Sequence, residues 1–223
     1  MASSSDPDDK QDGIDDPRLS ALVDQIKSCT HCLDDPKGAP LPHQPRPVLV
    51  PSQRAKICII GQAPGTRVHA SGKPFTDPSG DRLRAWMGID EDQFYDADKV
   101  AIVPMGFCFP GLDEKGGDLP PRKECAPKWQ TDLFELMPQI ELKLLVGMYA
   151  QNWHLGKSRH KTLTQTVAHW RDYVDEGGAG AGKPMLLPMP HPSWRNTAWL
   201  RKNPFFERDV IPFLQKEIKR LNA

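Results

Sequence analysis

Four short, mainly apolar runs recur along this 223-residue chain, at Lys56–Ile60, Val100–Val103, Leu142–Val146 and Met185–Leu187. A strand with one wet face alternates apolar and polar residues; a run that is apolar throughout must be covered on both sides. Helical periodicity fills the intervals. Leu19, Leu22, Val23 and Ile26 share one face of a helix started by Asp16-Pro17, and Trp129, Leu133 and Leu136 mark another within Cys125–Met137. Further helices are expected over Asp81–Met87, Met148–Leu155, Leu163–Tyr173 and from Asn203-Pro204 to Leu221. The alternation predicts an α/β fold, a three-layer α/β/α sandwich around a central, mostly parallel four-stranded sheet. Residues 16–223 read as one domain. Residues 1–15 read as a disordered acidic tail, the proline-rich 36–51 as an irregular strap and Gly177–Gly182 as an exposed loop.

Composition narrows the function. No apolar run approaches the ~20 residues of a membrane span, and the Ser- and Asp-rich start lacks the basic-then-apolar pattern of a secretory signal. A monomeric intracellular protein is the expectation. Formal net charge is zero but polarised: residues 1–20 hold six Asp against Lys10 and Arg18, while residues 191–223 hold seven Lys/Arg against three Asp/Glu. The basic end suits a polyanion or a solvated helix face.

Two loops lie where strands should end, the usual place for a ligand crevice in an open parallel sheet. Gly61-Gln62-Ala63-Pro64-Gly65 offers backbone N–H groups at a glycine turn, and His191-Pro192-Ser193 offers an imidazole beside a hydroxyl, followed by Trp194, Arg195 and Asn196. Together they suit holding an anionic leaving group while gripping a phosphate backbone. Cys58 sits inside an apolar run and reads as a buried thiol. The other cysteines, Cys29-x2-Cys32 and Cys108-x16-Cys125, make a four-thiolate site, and that spacing admits either zinc or a cubane iron–sulfur cluster.

These loops resemble the first and second motifs of the uracil-DNA glycosylase superfamily, and Gly72-Lys73-Pro74-Phe75-Thr76 resembles the stretch carrying its aromatic platform. The four cysteines resemble those of its iron–sulfur-containing families 4 and 5, and the similarity spans roughly residues 26–215. The resemblance implies a monofunctional DNA glycosylase of base excision repair, which hydrolyses the N-glycosidic bond of a damaged, flipped-out base and leaves an abasic site. Uracil is the leading substrate. It implies a 4Fe–4S cluster on Cys29, Cys32, Cys108 and Cys125 in preference to zinc, and damaged DNA as partner. His191, Gln62 and Asp77 become the catalytic candidates, and Gly61 to Gly65, Phe75, Met105, Gly106 and His191 the base contacts. Ser193, Trp194, Arg195 and Asn196 become the DNA contacts. Asp77 precedes Pro78 and is equally placed to cap a helix. No lysine stands in either loop to form a Schiff base, although Lys73 is close.

Two positions depart from the family pattern. Gln62 replaces the acidic residue of family 4, and Pro104 stands where those families place a pyrimidine-reading Asn. Two alternatives follow: a glycosylase for hypoxanthine or xanthine, and a catalytically weak nucleic-acid-binding module of the same fold. A third, unrelated possibility is a metal-binding α/β protein for a small anionic ligand.

Overall fold

The computed structural model describes residues 13–178 and 182–223. In chain order the elements are α1 (Pro17–Lys27), α2 (His31–Asp34), β1 (Ile57–Ile60), α3 (Thr66–Ser71), α4 (Pro78–Met87), α5 (Glu91–Tyr95) and β2 (Val100–Ile102). There follow α6 (Cys125–Glu135), β3 (Leu142–Val146), α7 (Met148–Leu155), α8 (Leu163–Ala168), α9 (Trp170–Val174), β4 (Met185–Met189), α10 (Thr197–Lys202) and α11 (Ile211–Leu221). The strands form one parallel sheet in the order β2-β1-β3-β4.

Period-two alternation sorts the strand residues between two cores. Ile57 and Ile59 face a cluster shared with Leu83, Trp86, Phe206, Leu214 and Ile218, while Cys58 and Ile60 face one shared with Leu19, Ile26, Leu133 and Leu155. Both strand faces are buried, so the sheet is the middle layer of an α/β/α sandwich, as its apolar runs require. The proline-rich strap lies on the β2 edge: Val50 and Ile102 exchange backbone hydrogen bonds of 2.8 and 2.7 Å, an antiparallel bridge that blocks an open edge.

Several sequence expectations shift. The helix expected over Leu163–Tyr173 breaks at His169, whose ring is held at the Gln165 carbonyl (2.9 Å) and stacks on His160. The fourth strand runs past Leu187 through Pro188 to Met189; β4 is an edge strand, where a missing N–H is tolerated. The last helix opens with a π-helical turn over Phe206–Val210, because Pro212 has no N–H to give the Arg208 carbonyl. Of the tail expected over residues 1–15, residues 1–12 lie outside the described residues. Residues 13–15 are docked: the Gly13 carbonyl accepts from Gln53 N–H (2.8 Å), and Asp15 pairs with Arg54 at 2.7 Å. Residues 179–181 of the expected glycine-rich loop also lie outside the described residues. No helix among the described residues is long and apolar enough to cross a membrane.

Candidate active site

The loop leaving β1 supplies donors. Its carbonyls are used, since Gly61 accepts from Met105 N–H (2.9 Å) and Gln62 from Gly106 N–H (3.0 Å). Its N–H groups are free of that duty: among the described residues no acceptor takes the N–H of Gln62, Ala63 or Gly65. Unspent N–H groups in a concave turn form a receptor for negative charge.

Phe75 forms one wall, and its backbone is held where a side chain rarely goes. Its φ of +55° makes it the positive-φ residue other than glycine among the described residues. Three groups enforce this. Tyr95 Oη donates to the Pro74 and Phe75 carbonyls (2.8 and 3.2 Å), and Arg84 Nη1 reaches the Phe75 carbonyl at 3.5 Å. Gly80 makes room, for a Cβ there would lie 1.9 Å from the Phe75 oxygen. The ring meets Phe94 edge-on at 5.8 Å and lies over Gly61, where a Cβ would stand 3.4 Å from Phe75 Cζ. Such local strain, over-determined by its surroundings, is typical of a pre-organised site.

His191 follows β4 and reaches back across the end of β3. Gly147, at φ +86°, ends β3 and presents no side chain against it. Ser193 N–H donates to His191 Nδ1 (3.2 Å), so in the neutral ring Nε2 carries the proton. Burial lowers the His191 pKa, opposed by the nearby Asp77 charge, and the ring is neutral at physiological pH. Asn196 Nδ2 donates to the His191 carbonyl (2.8 Å), and Arg82 donates to the Ser193 carbonyl (3.0 Å) and Thr197 Oγ1 (3.3 Å). The expected DNA contact Asn196 therefore spends its amide fixing the histidine. Arg82, which the sequence reading did not single out, anchors the same loop to α4.

These groups meet in a pocket of about 580 Å³, lined by Gly61 to Gly65, Phe75, Asp77, Ile102, Pro104, Asp118 and His191 among others. It opens into a groove of about 1480 Å³ bordered by Arg67, Ser193, Trp194, Arg195 and Asn196. Gln62, Phe75 and His191, spread over some 130 residues of sequence, thus share one hollow. Trp194 is 72% exposed, with the Arg195 guanidinium 5.7 Å from its ring centre. Asp77 does both things expected of it: it caps α4, accepting from Gly80 N–H at 3.2 Å, and it lines the pocket.

Two expected base contacts lie elsewhere. Ile102 and Pro104 line the pocket, so alternation turns Met105 to the far side, where it borders a separate groove with Tyr149 and Trp153; Gly106 borders the cysteine hollow. The Pro104 carbonyl points away as well, accepting from Gln130 Nε2 at 2.8 Å. Sequence reading missed Asp118. It sits in a short glycine-rich loop with no periodicity to mark it, yet it borders both the pocket and the groove.

The family model described as the uracil DNA glycosylase superfamily matches residues 47–215, well over half of the chain. The chain belongs to the uracil DNA glycosylase superfamily. Membership carries DNA-glycosylase chemistry, a hydrolase acting on DNA in repair, and the α/β/α sheet is the expected frame.

Outside the base pocket of this superfamily member, Cys29, Cys32, Cys108 and Cys125 line one hollow of about 420 Å³, walled by Ile26, Pro45, Pro47 and Trp129. Burial pushes Cys108 and Cys125 up to about 12 and raises Cys32, so bare thiolates at these three positions would be costly. Phe107 N–H lies 3.4 Å from Cys125 Sγ, a donor suited to a charged sulfur. Among the described residues no three His, Cys, Asp or Glu groups are arranged to hold one metal ion. Four thiols around one hollow are the donor set of either a zinc ion or an iron–sulfur cluster.

Proposed function

We propose that this chain hydrolyses the N-glycosidic bond of a damaged base flipped out of DNA, with uracil as the leading substrate, and leaves an abasic site without cutting the strand. The observation that carries the reading is the convergence of His191 Nε2–H and the unspent N–H groups of Gln62, Ala63 and Gly65 on the pocket walled by Phe75. As the bond breaks, its electrons pass to the base, whose carbonyl oxygen gains charge. Preorganised donors in a partly dried pocket favour that state over the ground state. Phe75 stacks on the extruded ring. Gln62 can orient a base or a water but takes no proton. At the groove, Trp194 and Arg195 enter the space the base vacates while Ser193 holds a phosphate.

The four cysteines would hold a 4Fe–4S cluster, which ties the segment before α2 to the loop before α6. As a DNA repair enzyme the protein works as a monomer inside the cell, beside its DNA.

Pro104 supports a second reading. The wall where a pyrimidine-reading amide would stand is an apolar ring with its carbonyl turned away, which admits hypoxanthine or xanthine as well. Base release from duplexes carrying one uracil, hypoxanthine or xanthine tests both, with His191→Ala as control. Release of uracil alone eliminates the purine reading, and no release with tight abasic-site binding leaves only a binding module. His191→Ala should lower release by roughly 10²–10³-fold, the usual cost of one such donor.

A further inference from the structure

Three rings gather where the proline-rich strap crosses the end of α3. His43 and His69 lie 4.2 Å apart between ring centres, and Phe109 lies against both, stacked on His43 at 5.5 Å and 5.7 Å from His69. The join is built rather than incidental. Arg46 Nη1 donates to the His69 and Ala70 carbonyls, both at 2.7 Å, so its guanidinium is engaged with the C-terminal end of α3. Gly72, at φ +75°, leaves room for it, since a Cβ there would stand 2.7 Å from Arg46 Nη2.

The imidazole nitrogens are the anomaly. His43 Nδ1 lies 2.8 Å from the Gln44 carbonyl oxygen, which can only accept, so Nδ1 carries the proton and Nε2 is a bare lone pair. That Nε2 is covered and has no hydrogen-bond partner among the described residues, and the same holds for His69 Nδ1. A proton on His69 Nδ1 could in principle serve both rings, yet no hydrogen bond joins them. Covered nitrogens left without a partner cost free energy until an electron-poor group meets them. A backbone carbonyl on one ring nitrogen and nothing on the other is how a metal-ligating histidine is commonly held. The second histidine pair shows the contrast. His160 and His169 also stack, at 4.1 Å, but His169 Nδ1 meets the Gln165 carbonyl and His160 Nε2 faces Asp172 at 3.9 Å, and neither ring has a covered, unpartnered nitrogen.

We propose that His43 Nε2 and His69 Nδ1 form a binding site for one divalent transition-metal ion, which staples the strap to α3 with water completing its shell. Neutral imidazole is a ligand for zinc, copper and nickel alike. No third His, Cys, Asp or Glu joins the pair among the described residues, so the ion exchanges with solution rather than being locked in. Burial lowers the His69 pKa, with His43 and Arg46 adding to the effect, so protons compete weakly for that ring. The staple acts on two walls described above: Val48 of the strap and Val68 of α3 both line the base pocket, and Pro45 and Pro47 wall the cysteine hollow. The site does not depend on which base the pocket takes.

The test uses untagged protein with its cysteine site filled, and nickel as the probe, because nickel is told apart from iron or zinc on the cysteines. Uptake is titrated near neutral pH for wild type, His43→Gln, His69→Gln and His160→Gln, with thermal melts and nickel-edge X-ray absorption of the wild type. Wild type should take up one nickel per chain and melt higher with it. His43→Gln and His69→Gln should each bind at least about 10-fold more weakly, and His160→Gln should bind as wild type does. The absorption spectrum should show imidazole nitrogen and water oxygen around nickel and no sulfur, a readout that needs no variant to fold. Sulfur among the neighbours, binding in either His43→Gln or His69→Gln within about threefold of wild type, or loss in His160→Gln overturns the site. A wild type that takes up no nickel overturns it too and leaves the two nitrogens to a shared proton or a water. Nickel bound with no rise in melting temperature overturns the staple.

Discussion

Phe75 shows how much a single residue's role depends on others. Its ring faces the pocket only because its backbone sits in the left-handed region, and that holds only while Gly80 lacks a side chain. Gly80→Ala should cost on the order of 1–3 kcal/mol, the usual price of forced overpacking. Its base release should fall more than its melting temperature predicts; release equal to wild type at a temperature where both are folded would separate the strain from the platform. Arg195 acts at longer range. Arg195→Ala should weaken duplex binding equally for all sequences and reduce the slope of log affinity against log salt by about 1; an unchanged slope removes the phosphate or groove contact. Gln62, Phe75 and His191 were legible in the sequence because their loops carry short motifs in a fixed order. Asp118 was not: Leu112 to Leu119 has neither periodicity nor motif, and its carboxylate gains meaning only through Gly65, far away in the chain.

At the level of elements, the sheet was readable because burial on both faces leaves a plain trace, an apolar run. The short helices α3, α5 and α10 were not, since five or six residues give too little periodicity to see. Their boundaries come instead from caps and neighbours, such as the Asp90–Gln93 capping box of α5. The join between α7 and β3 carries a titratable liability. His154 packs edge-on to Phe134 with its Nε2 buried and unpartnered among the described residues, and burial beside Lys143 holds its pKa down to about 3. Unfolded, the ring titrates near 6.5. Its stabilising effect is therefore complete above pH 6.5 and lost as pH falls toward 3, because only the unfolded chain takes the proton. Between pH 6.5 and 5 wild type should lose about 1.6 kcal/mol more than His154→Leu, the slope rising toward roughly 1.4 kcal/mol per unit as the unfolded ring becomes fully protonated. Urea melts at the two pH values check this, and parallel losses would show that the ring is protonated while folded.

For the whole molecule, the four-cysteine hollow joins the segment between α1 and α2 to the loop that also carries Asp118. The family match begins only at residue 47, so Cys29 and Cys32 lie outside it and were legible from their spacing and from the resemblance of the four cysteines to those of families 4 and 5. Anaerobically purified protein should be brown and carry about four irons and four sulfides per chain; a colourless protein with one equivalent of zinc would replace the cluster. Cys29→Ser should lose iron and lower the melting temperature together. The order β2-β1-β3-β4 has one further effect on the pocket. The two motif loops hang from β1 and β4, and β3 between them keeps them two lattice steps apart, about 9.6 Å at the usual strand repeat. That interval is a ruler set by peptide geometry, which no side-chain substitution can stretch. A member of this lineage that adapts to a larger nucleobase must therefore remodel the walls and floor of the slot, at positions such as Pro104 and Gly147, since its span is inherited unchanged.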